Sequence, residues 1–132
     1  MAHGKFGTVL NCMDGRTQEP VLRWMKSRFD LDYVDNITEP GPDQVLLAGD
    51  EATRKSVRRK LDISLRGHGS KVVAVIGHTD CAGNPVDDEK HLSQIQQSVA
   101  ALEQMHLGVP VLGLWLDENW TVRQVAGPSA DD

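Results

Sequence analysis

The stretch that most constrains the architecture of this chain is KVVAVIG, residues 71–77. Val72, Val73, Ala74, Val75 and Ile76 form an unbroken apolar run, mostly β-branched. A strand with one wet face alternates polar and apolar residues; this one does not, so it reads as a central parallel strand buried on both faces. A strand covered on both sides needs helices on both sides, which predicts an α/β domain.

The rest of the chain supplies those elements. KFGTVLNC (5–12) is a β-rich run ending in a polar turn. In 17–29, Val21, Leu22, Met25 and Phe29 share a helical face, with Thr17 as its expected cap and Pro20 placed where a first turn tolerates it. Residues 31–37 read as a second strand and TEPGPDQ (38–44) as a loop, either a plain connector or a lid. The segment 43–69 reads as mostly helical, with Val57, Leu61 and Leu65 on one face. A long helix is expected over 88–108, with a core stripe of Leu92, Ile95, Val99, Leu102 and Met105. Residues 109–116 and 120–126 read as a hairpin around DEN, which makes the last strand antiparallel, and GPSADD as a polar tail. The order predicts a single domain over 1–132, with a mainly parallel sheet of four to five strands and helices on both faces.

At 132 residues the chain is long enough to bury a core without disulfides. Its formal net charge of −5 argues against nucleic-acid binding, which needs a basic surface. The one basic cluster, Arg54, Lys55, Arg58, Arg59 and Lys60, is flanked by Asp50, Glu51 and Asp62 and reads as a solvated helix face. No apolar run approaches a membrane span, and the first residues carry no signal-peptide pattern. The expected setting is the cytoplasm, where the two cysteines stay reduced.

Ligands of open α/β sheets bind at the carboxyl ends of the strands. Both cysteines fall at such ends, Cys12 after the first strand and Cys81 after the third, with His78 three residues before Cys81. Two thiolates and one imidazole suit Zn²⁺, and three protein ligands with an open fourth position are the pattern of a catalytic zinc. The residues alone leave a plainer reading open, with both cysteines as small buried apolar groups. Asp14 lies two residues past Cys12 and reaches the same volume. Its carboxylate can bind the metal as a fourth ligand or accept a hydrogen bond from the metal's water. The planar fork of Arg16 decides, because a bidentate pair draws Asp14 off the metal. The plainer alternative is a surface ion pair worth little.

The motifs CMDGR and HTDC, in this order and on these elements, resemble the C-x-D-x-R and H-x-x-C motifs of the β-class carbonic anhydrases. The likeness runs from about Phe6 to the last strand. It implies one Zn²⁺ per chain on Cys12, His78 and Cys81, with Asp14 and Arg16 as the catalytic pair. The implied reaction is attack of zinc-bound hydroxide on CO₂, giving bicarbonate and a proton. It also implies a homodimer or larger homo-oligomer. The chain departs from the family at Gly15 (usually serine), Ala82 (usually glycine) and Asp35 (usually arginine), while Asn36 matches. Only five residues precede the first strand, where the family carries a helical extension with a substrate-holding glutamine. Gln18 and Gln44 are the candidate replacements, and Gly83, Asn36 and Asn84 the candidate pocket groups. Hydrolysis of carbonyl sulfide or carbon disulfide by the same chemistry is the close alternative. A non-catalytic zinc module with Asp14 as fourth ligand, and a thiol enzyme using Cys12 as nucleophile, are further alternatives. Trp24, Trp115 and Trp120 read as core or interface aromatics, and His68, His91 and His106 as surface residues.

Overall fold

The computed structural model describes residues 3–128. Five strands form one sheet: β1 (Phe6–Cys12), β2 (Tyr33–Glu39), β3 (Val73–His78), β4 (Val111–Leu116) and β5 (Val122–Ala126). Their order is β2-β1-β3-β4-β5, all parallel except the β4–β5 pair. KVVAVIG thus supplies β3, and every residue of that strand is buried, as is every residue of β4 beside it. The last pair is the expected hairpin; Asp117 closes its turn by accepting the N–H groups of Asn119 and Thr121. The last four residues of the expected polar tail lie outside the described residues.

Helices cover both faces, unequally. Helix α1 (Gln18–Phe29) packs Val21 and Met25 against Val9, Ala74, Ile76 and Leu114 on one side. Helices α2 (Pro42–Ala48), α3 (Glu51–Asp62) and α4 (Asp88–Glu103) pack on the other, where Val45, Val57, Leu61, Val99 and Leu102 meet Leu10, Val73 and Val75. Each fully buried aliphatic side chain contributes roughly 1.5–3 kcal/mol.

Several expected boundaries shift, each for a local reason. The expected loop 38–44 is shared between the end of β2 and the first turn of α2. The run 43–69 breaks in two at Gly49 and Asp50. The Gly49 N–H closes α2 on the Val45 carbonyl, and the Asp50 carboxylate caps α3 by accepting the Thr53 N–H. A π-helical turn, Ile63–Gly67, then ends that segment. Helix α4 stops at Glu103, short of Gly108, because His106 (φ 52°) and Gly108 (φ 80°) take left-handed conformations that a helix cannot continue. Thr17 caps nothing; its hydroxyl donates to the carbonyls of Cys12 and Asp14.

The strand order reverses between β1 and β3, which are neighbours although β2 separates them in sequence. Such a switch point opens a crevice at the carboxyl ends of the two strands. Cys12 ends β1 and His78 ends β3, so the fold brings the two motifs to that crevice.

Candidate metal centre

Cys12, His78 and Cys81 converge there, all buried, with their ligand atoms within 4.8 Å of one another. The two sulfurs are 3.9 Å apart. Thiolates sharing one tetrahedral zinc lie about 3.8 Å apart, given Zn–S bonds of about 2.3 Å. The His78 ring is fixed by its Nδ1–H, which donates to the Thr79 carbonyl at 2.7 Å. That bond leaves the Nε2 lone pair turned inward, and Nε2 is buried without a hydrogen-bond partner among the described residues. An orphaned buried nitrogen is costly unless something takes its lone pair. Soft donors, their spacing and the orphaned Nε2 all fit a zinc ion.

Backbone N–H groups surround the sulfurs. Those of Gly41 and Asp14 face Cys12, and those of Gly83 and Asn84 face Cys81. Cys12 is pulled well below the usual thiol pKa, first by its hydrogen bond with Cys81, then, against burial, by His78 and the two N–H groups. Cys81 is pushed up by that same bond and by burial.

Asp14 lies at the rim, with its Oδ2 4.0 Å from His78 Nε2. Arg16 engages both of its oxygens: Nε reaches Oδ1 at 3.1 Å and Oδ2 at 3.2 Å, and the terminal nitrogen reaches Oδ2 at 2.7 Å. The Arg16 backbone N–H adds a bond to Oδ1 at 2.9 Å. Arg16 holds the Asp14 carboxyl down at about 2, so it stays ionised at neutral pH. Arg16 is itself anchored, by Asp80 Oδ2 at 3.3 Å, by the Asp80 carbonyl at 3.1 Å, and by the Trp120 ring 4.5 Å beneath its guanidinium. Asp80 and Trp120 are residues that spacing did not single out for this role; both lie far from Arg16 in sequence.

A cleft of about 390 Å³ opens onto Cys12, lined by Met13, Asp14, Pro40, Ala82 and Gly83. Gly83 thus borders the cleft. Asn36 does not line it; its amide bonds Asn11 at 3.1 Å and Gln18 at 2.5 Å. Gln18 in turn donates to the Cys12 carbonyl at 2.7 Å, and Asn11 accepts the Cys12 N–H at 2.8 Å. These three amides brace the backbone of Cys12. Gln44 donates to the Gly83 carbonyl at 3.2 Å. A larger groove of about 800 Å³ between Glu103 and Pro128 lies at the opposite end of the sheet and gathers none of these residues.

Two histidines expected at the surface are not there. His91 is fully buried and its Nδ1–H donates to Asp43, equally buried, at 2.6 Å. His68 is half-buried against Phe6 and pairs with Asp35 at 2.6 Å. Asp35 also accepts from the buried Ser64 hydroxyl at 2.6 Å, so it is the acceptor of a polar cluster. His91 read as a surface residue because no partner lies at ligand spacing from it; the signal available was the helical period, which puts it four residues before Ile95 on the buried face of α4.

No curated protein sequence matches this chain. Among solved structures it is similar to carbonic anhydrase from Streptococcus mutans, at 19% identity and a TM-score of 0.63 over 96% of this chain and 87% of that one. Carbonic anhydrase from Glaciozyma antarctica matches at 19% identity and 0.61, over 90% and 80% of the two chains. A tetrameric β-carbonic anhydrase from Sordaria macrospora matches at 10% identity and 0.62, over 95% and 82%. At these identities the likeness is one of fold. The family model described as "Putative carbonic anhydrase" matches residues 2–126, nearly the whole chain. On that match and that fold, the chain belongs to the carbonic anhydrase-like family of β-class architecture.

Proposed function

We propose that this protein is a zinc-dependent carbonic anhydrase-like enzyme that interconverts CO₂ and bicarbonate, with Cys12, His78 and Cys81 as the metal ligands. The observation that carries the reading is the buried pair of sulfurs facing the lone pair of His78 Nε2, which has no hydrogen-bond partner among the described residues. Zinc in this position supplies Lewis acidity that brings the pKa of a water toward neutrality.

The chain's own residues do the rest. Two thiolates and a neutral imidazole cancel the metal's charge, so this set activates water less than three histidines do, and a neighbouring group has to help. Asp14 is that group, the hydrogen-bond acceptor that orients the attacking water. Arg16 takes both Asp14 oxygens and so discourages the carboxylate from closing the fourth position. Met13, Pro40 and Ala82 give the cleft an apolar wall suited to a small neutral linear substrate. The same wall suits carbonyl sulfide or carbon disulfide, small linear electrophiles like CO₂, and these are the second reading. The 4.0 Å approach of Asp14 to His78 Nε2 favours a third, the non-catalytic module in which Asp14 is the fourth ligand. The tetrameric relative from Sordaria macrospora supports a homo-oligomer here. No helix among the described residues is long and apolar enough to cross a membrane; a cytoplasmic setting is part of the proposal, and it keeps both cysteines available to a metal.

The test is zinc content per chain, then hydration of CO₂ and hydrolysis of carbonyl sulfide by wild type, Asp14→Ala and Cys81→Ser. Stoichiometric zinc, lost in Cys81→Ser, and hydration that rises between about pH 6.5 and 9 are expected. Asp14 is ionised across that range, so the rise reports the water and not the carboxylate. Bound zinc with neither activity removes the enzyme and leaves the module; absence of zinc removes both.

A further inference from the structure

The two turns that present N–H groups to the sulfurs are bolted together from behind. One is the Gly41–Asp43 turn entering α2; the other is the Cys81–Asn84 loop after β3. They touch backbone to backbone: a Cβ on Gly41 would come 2.6 Å from Asn84 Cβ, and one on Gly83 would come 2.7 Å from the Pro40 carbonyl carbon. Gly41 also needs its positive φ of 68°.

Asp43 is the bolt. It is fully buried, and its Oδ1 accepts the Asn84 side-chain N–H at 3.0 Å. Its Oδ2 accepts His91 Nδ1–H at 2.6 Å, and its own carbonyl accepts the Ser98 hydroxyl at 2.8 Å. Both partners from α4 are themselves buried. His91 Nε2 has no hydrogen-bond partner among the described residues, so the ring, seated beside Trp115, directs its one polar bond at Asp43. The central strand makes room for the carboxylate at Gly77, where a Cβ would lie 2.7 Å from Asp43 Oδ2. A glycine inside an otherwise apolar strand marks such a close approach.

We propose that Asp43, locked by His91, is a positioning residue of the metal centre. It fixes the two turns whose N–H groups face the Cys12 and Cys81 sulfurs, and thereby governs how tightly those sulfurs hold a soft divalent cation. The inference rests on the metal reading above and extends it to residues that touch neither the metal ligands' side chains nor the cleft. Groups that orient ligands in this way are commonly worth about ten- to a hundredfold in metal affinity.

The experiment loads wild type and variants with Zn²⁺ and follows release to a chromophoric chelator. In parallel it records the thiolate-to-metal charge-transfer bands of the Co²⁺-loaded proteins and the thermal midpoint of each metal-free protein. Asp43→Ala and His91→Leu are expected to release zinc about tenfold faster or more, with altered cobalt bands. His91→Asn, which restores an N–H donor near the Nδ1 position, recovers part of the loss. Ser64→Ala removes a buried hydroxyl from the Asp35 cluster; it lowers the midpoint and leaves release unchanged. If Asp43→Ala does not fold, the two His91 variants decide. Folded His91 variants with wild-type release and cobalt bands overturn this inference alone, as does acceleration by Ser64→Ala equal to theirs. A wild type that takes up neither metal overturns the metal reading and this inference together.

Discussion

Asp14 and Asp43 are both carboxylates near the carboxyl end of the same sheet, each paired with a nitrogen base, yet their settings are opposed. Asp14 sits at the rim, and the Arg16 side chain that holds it is 46% exposed. Asp43 and His91 are sealed beneath α4, their side chains 1% and 0% exposed. Water screens the first pair, so it adds little to stability, and its carboxylate remains free to meet a substrate or a water. No water compensates a break in the second pair, so it is structural, and its influence on the cleft passes through the backbone. Burial, and not the type of charged group, separates a group poised for chemistry from one that holds a scaffold.

The sharpest way to break this contrast is to remove one carboxylate at a time. Asp43→Ala is expected to lower unfolding free energy by about 3 kcal/mol, because it strands the His91 and Asn84 donors in a dry site. Urea denaturation of the metal-free protein measures it; a loss near zero would show that the pair is not structural. Gly77→Ala tests the same bolt from the strand side. Its methyl group meets Asp43 Oδ2 and Ile95, and the expected cost is about 1–3 kcal/mol. Asp14→Asn should cost less than about 1 kcal/mol while lowering CO₂ hydration, the reverse of the Asp43 pattern.

The smallest effect is one of pH. The Asp14 carboxyl is lowered from 3.8 to about 2 by Arg16. A carboxyl whose folded pKa lies below its unfolded value stabilises the fold fully above the unfolded pKa. That contribution fades as pH falls through the folded one. The stability gap between wild type and Asp14→Asn should therefore hold above about pH 4 and close by about pH 2, followed by denaturation at stepped pH. A gap that instead widens on acidification would mean the pairing is not as drawn.

The rim was readable in the sequence because its chemistry is local. Cys12, Asp14 and Arg16 lie within five residues, and His78 and Cys81 within four, each set placed at a strand end by an apolar run. The bolt was not readable, because its members come from three elements. Asp43 fell in the Pro/Gly loop 38–44, Asn84 read as a candidate pocket group, and His91 as a surface residue. Each has an ordinary local explanation, and no spacing rule joins them. The same holds for Asp80 and Trp120 around Arg16, and for Asp35, Ser64 and His68.

The sequence by itself determined the α/β class, the buried central strand, the antiparallel last hairpin and the two motifs that converge. Those follow from hydrophobic period and turn chemistry, which are properties of neighbours along the chain. Only the tertiary structure decided that β1 and β3 lie side by side, that Cys12 and Cys81 meet at 3.9 Å, and that a glycine in β3 makes room for a carboxylate from α2. The physical reason is that burial and hydrogen-bond satisfaction are settled in three dimensions. A polar side chain becomes structural or functional only when the fold decides what faces it and whether water can reach it.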